Sequence, residues 1–147
     1  MAEKDEYLKL DAQLCFALVT AARNVVAIYR PILEPLGLTH PQYLVMLSLW
    51  EQSPQTLGEL ADSLALESAT VSPLVKRLEA QGLVLRQRSA EDERRLEIAV
   101  TPEGQALRER ALDVPPAVMK AVHMDVDQVR ELREALRPFA GGHDRVA

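Results

Sequence analysis

Between residues 8 and 29 the apolar side chains recur every three or four positions, at Leu14, Cys15, Leu18, Val19, Ala22, Val25, Val26 and Tyr29. That period predicts a long helix with a wide apolar face. The segment "RPILEPLG" follows, and its two prolines and glycine are expected to close the helix and bend the chain. "THPQYLVMLSLWE" opens a second helix, with Thr39 as N-cap, Pro41 in the first turn and Gln42 three residues after the threonine. Its interior, residues 44–50, is apolar enough to be buried. A short helix in "TLGELADSLAL", capped by Thr56, sets Leu57, Leu60, Ala61 and Leu64 on one side. After a tight turn, "ESATVSPLVKRLEAQG" gives another helix with Val71, Leu74, Val75 and Leu78 inward and Gly82 as its stop. Helix, short turn, helix is the helix-turn-helix pattern.

Beyond Gly82 the period drops to two. "LVLRQRS" and "LEIAV" read as two strands, the second alternating through Leu96, Ile98 and Val100, with the charged loop "AEDERR" between them. A hairpin directly after a recognition helix is the wing of a winged helix. "TPEGQALRERALDVPPAVMKAV" starts with Thr101 as cap and Pro102 in the first turn, then breaks at Pro115 and Pro116. A last helix, about residues 125–137, carries Val126, Val129, Leu132 and Leu136 on one face, and the terminal "GGHDRVA" is expected to fray. The predicted fold is mainly α with a small β-hairpin wing, in one domain. The terminal helices, about residues 8–36 and 102–140, flank a winged helix-turn-helix at about 39–101. They hold more apolar surface than such a core needs, which points to a homodimer.

Composition narrows the function. The chain has 147 residues, 48% hydrophobic and 27% charged, the balance of a globular protein. Its net charge of −5 excludes a basic protein overall but not a basic face. "MAEKDEYLKL" has none of the parts of a signal peptide, and no run approaches the roughly 18 uninterrupted apolar residues of a membrane span. A cytoplasmic protein without a membrane partner is expected. His40, His123 and His143 stand far apart and match no zinc spacing, so no metal or other cofactor is expected. The single cysteine, Cys15, has no internal disulfide partner.

A basic face does emerge around the predicted recognition helix. Ser68, Thr70 and Ser72 stand at its N-terminal end, where hydroxyls and backbone amides satisfy phosphate oxygens and base edges. Lys76 and Arg77 follow, suited to neutralising phosphates or reading guanine, and Arg86 and Arg88 lie on the first wing strand. From Val71 to Arg88 there are four basic residues and one acid, Glu79. At the wing tip Arg94 or Arg95 is placed to enter a minor groove, with Asp92 able to hold that arginine through a bidentate pair. Taken singly, hydroxyl caps and charged hairpin tips are ordinary surface. The order of the pieces is what points to double-stranded DNA as partner.

In this order the residues resemble the multiple antibiotic resistance regulator (MarR) family of dimeric winged-helix repressors. The resemblance is carried by "LTHPQYLVMLSLWE", "LADSLALESATVSPLVKRLEAQGLVLRQRSAEDERR" and "VTPEG", and extends over residues 10–136. Within that family, "LDAQLCFAL" joined to "YRPILEPLGLTHPQYL" resembles the organic hydroperoxide resistance regulators. The resemblance implies a homodimer on a palindromic operator, no catalytic site, Ser68, Thr70, Ser72, Lys76 and Arg77 facing the major groove, and Arg94 as the minor-groove arginine positioned by Asp92. It implies that Cys15 is oxidised by an organic hydroperoxide and that the dimer then leaves its operator. It also implies tyrosine hydroxyls at the positions of Val19, Tyr29 and His40, of which only Tyr29 is a tyrosine here. The imidazole of His40 can stand in by donating a hydrogen bond or, when protonated, by supplying positive charge.

From its own periodicity Cys15 reads as core filler, the usual role of a free cysteine. The resemblance turns it into a redox sensor that passes through sulfenic acid and, with no second cysteine, ends as overoxidised sulfur or a mixed disulfide with a small cellular thiol. A rival reading keeps the regulator but replaces the oxidant with a small phenolic or aromatic ligand and leaves Cys15 structural. A peroxidase lacks support: there is no resolving cysteine, acid–base pair or phosphate-cradling loop.

Overall fold

The computed structural model describes residues 2–139; "GGHDRVA" and His143 lie outside the described residues. The elements are α1 (Ala2–Glu6), α2 (Leu14–Leu33), α3 (His40–Glu51), β1 (Gln55–Thr56), α4 (Leu57–Leu64), α5 (Ser68–Ala80), β2 (Val84–Arg88), β3 (Leu96–Val100), α6 (Pro102–Ala111), α7 (Val114–Val122) and α8 (Val126–Leu136). Helices α3, α4 and α5 enclose the core of the winged helix, with Val45, Met46, Leu49, Leu60, Val71, Val75 and Leu78 all buried. Each such side chain contributes about 1.5–3 kcal/mol by leaving water. Thr39 with Gln42, and Thr56 with Glu59, form reciprocal capping boxes that start α3 and α4. The helix-turn-helix is therefore set by local signals and held by one shared core.

Several boundaries differ from expectation. The first long helix begins at Leu14, not residue 8, because Gln13 is extended and its side-chain amide donates to the carbonyls of Tyr7 and Lys9, folding residues 10–12 into a 3-10 turn. It runs through Pro31 to Leu33. A proline in the last turn removes only one hydrogen bond, and the bend comes later, where Gly37 adopts φ +71°. Leu47, expected inside, is 41% exposed. The wing is not a bare hairpin: β1 adds a third antiparallel strand, in the order β1-β3-β2, with Gln55 opposite Ile98.

The terminal helices are the least covered. Of the 20 residues of α2 only Leu33 is buried, and α8 buries none. Leu14–Leu36 forms a stretch of 23 residues, long and apolar enough to cross a membrane by length and composition alone. Arg23 and Arg30 interrupt it, so it holds no continuous apolar run of that length. Each arginine at the centre of a span would cost roughly 2.5–3.5 kcal/mol. α7 packs along α2, and Pro115 and Pro116 sit in the first turn of α7, where the missing N–H groups are not needed. The α6–α7 break thus falls just before the two prolines.

Candidate DNA-binding face and thiol site

The outward side of α5 is formed as the sequence predicts. Val71, Leu74, Val75 and Leu78 are buried, which turns Thr70, Lys76 and Arg77 to solvent. No side chain caps the helix at Glu67, and Ser68 is exposed at its first turn. Ser72 is half-buried and, with Leu57, Val75, Arg86, Leu96 and Ile98, lines a small cavity of about 80 Å³ between α5 and the sheet. It is turned further towards the wing than Thr70 or Arg77.

The four wing arginines separate into two kinds. Arg86 grips Glu79 with two guanidinium hydrogen bonds, 3.3 Å from Nε and 2.9 Å from Nη2, while its backbone N–H donates to the same carboxylate. These bonds hold the Glu79 carboxyl below its ordinary range. Arg88 donates across the loop to the carbonyl of Glu93 at 2.8 Å, and Arg95 pairs with Glu59 of α4. These three shape the wing and dock it on the helices. Arg94 alone of the four has no side-chain partner among the described residues, and it is exposed. Asp92 does not hold its guanidinium: the carboxylate accepts the backbone N–H of Arg94 at 3.0 Å, and its carbonyl accepts that of Arg95 at 2.9 Å. Asp92 orients the arginine through the main chain, and the expected bidentate pair is not formed.

At the other end of the chain the structure joins Tyr29 to His40, with ring centroids 5.0 Å apart at 60°. Tyr43, which sequence reasoning missed, also packs against Tyr29, with ring centroids 5.8 Å apart. Only the i+3 spacing from His40 on α3 hinted at it. Burial raises the Tyr29 phenol, and burial together with Tyr29 raises Tyr43, so both keep their hydrogen-bonding protons. Burial lowers His40 from its ordinary value, which favours the neutral imidazole near pH 7. His40 borders a groove of about 440 Å³ whose walls include Val26, Arg30, Gly37 and Thr39.

Cys15 is not in this cluster. It is exposed, not core filler, and the exposed Val19 stands one turn away. Tyr29 lies on the same helix, and at about 1.5 Å rise per residue the two are roughly 21 Å apart along its axis. One chain cannot bring this thiol to its own Tyr29 and His40. Among the described residues no three His, Cys, Asp or Glu side chains gather as metal ligands.

Comparison with known proteins agrees with these features. A model of the MarR family matches residues 38–96. The chain is 39% identical over 136 residues to the organic hydroperoxide resistance transcriptional regulator of Bacillus subtilis (strain 168), covering 92% of each protein. The structure of reduced AbfR bound to DNA aligns with a TM-score of 0.72 at 37% identity, over 91% of this chain and 94% of that one; AbfR is a protein of Staphylococcus epidermidis. CouR from Rhodococcus jostii RHA1, bound to p-coumaroyl-CoA, aligns with a TM-score of 0.77 at 28% identity, over 90% and 94% of the two chains.

Proposed function

The chain belongs to the MarR family of dimeric, DNA-binding transcriptional regulators, which are not enzymes, and from that premise we propose that it is a cytoplasmic repressor released from a palindromic operator by organic hydroperoxide. The observation that carries this reading is the geometry of α2: an unpartnered apolar face with Cys15 near one end and the Tyr29–His40 pair at the other. An antiparallel pairing of two such helices across a two-fold axis sets each Cys15 against the partner's Tyr29 and the partner's His40. There the phenol and the neutral imidazole donate hydrogen bonds that favour thiolate over thiol.

The thiolate sulfur attacks the distal peroxide oxygen; the O–O bond breaks, the departing alkoxide takes up a proton equivalent to the one the thiol released and leaves as the alcohol, and Cys15 becomes a sulfenic acid. A small cellular thiol then displaces water to give a mixed disulfide. The added bulk lies between protomers and alters the separation of the two recognition helices. Half-sites are spaced by the DNA repeat of about 10 base pairs, so the altered dimer loses its operator.

On the DNA, Ser68, Thr70, Ser72, Lys76 and Arg77 face the major groove and Arg94 enters the minor groove, while Arg86, Arg88, Asp92 and Arg95 hold the wing in position. The groove beside His40 favours a second reading, in which a phenolic or aromatic ligand enters there and Cys15 is structural. Alkylation of the reduced dimer by iodoacetamide at neutral pH separates the two. Tyr29→Phe removes a hydrogen bond to a charged group, worth about 1.5–3 kcal/mol, so the reading predicts at least roughly tenfold slower modification of Cys15. An unchanged rate contradicts it and favours the ligand.

A further inference from the structure

We propose that Gln81, at the C-terminal end of the recognition helix, is a positioning residue that couples α5 to the rim of the groove beside His40. The proposal rests on the reading of Cys15 as the switch and names how its state reaches the DNA-binding helix. Gln81 is bonded at both ends of its side-chain amide. Its Nε2 donates to the carbonyl of Gly37 at 2.8 Å, and its Oε1 accepts from Nε2 of Gln42 at 3.2 Å. Gln42 is 5% exposed, and its Oε1 accepts the backbone N–H of Thr39 at 2.9 Å. Gly37 and Thr39 line the same groove as His40. At the other end, the Gln81 backbone N–H donates to the carbonyl of Arg77 on the DNA-facing side of α5.

The chain of bonds therefore runs from the groove, through the turn at Gly37 and the cap of α3, to one turn from Arg77. Gln81 supplies the acceptor for the amide N–H of Gln42, and burial makes an unpaired amide costly. The turn and the C-terminal end of α5 consequently shift together, and a bulky adduct pressing on the groove displaces both. A residue that only stabilised the fold would lower the affinity of reduced and oxidised protein alike. A coupling residue changes their ratio.

The test is Gln81→Met, which keeps the length of an exposed side chain and removes both polar ends. Affinity is measured by gel shift on a duplex selected from a random pool by the reduced native protein, before and after cumene hydroperoxide. The native protein is expected to lose about 5–150-fold on oxidation. Gln81→Met is expected to bind like native when reduced and to lose less than about threefold when oxidised, with Gln81→Glu, which keeps only the acceptor, in between. If Gln81→Met is released as fully as native, the coupling role of Gln81 is overturned while the Cys15 reading stands. If the native protein itself holds the duplex after oxidation, the Cys15 reading falls, and this proposal with it.

Discussion

Arg94→Ala weakens operator binding more than removal of any other wing arginine, and it flattens the salt dependence. Arg86, Arg88 and Arg95 spend their guanidinium groups on Glu79, the Glu93 carbonyl and Glu59, so much of what they do is internal to the protein. Arg94 is exposed and unpaired among the described residues, and the bond from its backbone N–H to Asp92 fixes the direction in which it leaves the loop. An arginine seated on DNA is worth about 1–3 kcal/mol, and a symmetric dimer places two, so the loss is roughly 2–6 kcal/mol. Removing two cationic contacts also makes the slope of log affinity against log salt about 1.8 less negative. Fluorescence anisotropy on a labelled duplex at several salt concentrations measures both. Native affinity and slope in Arg94→Ala would show that the wing arginine does not reach the groove.

Gly104→Ala destabilises the fold by at least about 1–3 kcal/mol, the range for forcing extra volume into a packed site. A Cβ at Gly104 would lie inside the van der Waals envelope of the Leu83 carbonyl oxygen, 2.8 Å from Cγ1 of Val100 and 3.1 Å from the Leu83 carbonyl carbon. None of these is the far end of a flexible chain. The start of α6 is pinned there, since Thr101 donates to the carbonyls of Leu83 and Gly82, and the indole N–H of Trp50 donates to the Gly104 carbonyl at 2.9 Å. Urea unfolding followed by the fluorescence of Trp50, the single tryptophan, is expected to show a lower midpoint at fixed protomer concentration. An unchanged midpoint would mean that α6 can move away from Leu83 and Val100 without loss.

The same details mark what a sequence can and cannot disclose. Caps were legible because their signals are local: Thr39 with Gln42, Thr56 and Thr101 all act as their spacing predicts. The inward set of α5 was legible because four apolar residues at helical period admit one orientation. β1 was not, since two residues are too few to show alternation. Nor was the division among the wing arginines, which depends on Glu59 meeting Arg95 from 36 residues away. Asp92 meets Arg94 through the main chain and not the guanidinium, since a short carboxylate readily accepts a backbone N–H two residues on. Gln42 showed its local role as a cap partner, while its bond to Gln81 spans 39 residues. The helical rise alone already separates Cys15 from Tyr29.

The central claim is that Cys15, completed by the partner's Tyr29 and His40, is the switch. Its most direct test is a gel shift of native and Cys15→Ser protein on the same selected duplex, with and without cumene hydroperoxide. Both are expected to bind equally when reduced, the native protein losing about 5–150-fold in affinity after treatment and Cys15→Ser losing none. Release of Cys15→Ser by peroxide as readily as native would contradict the claim.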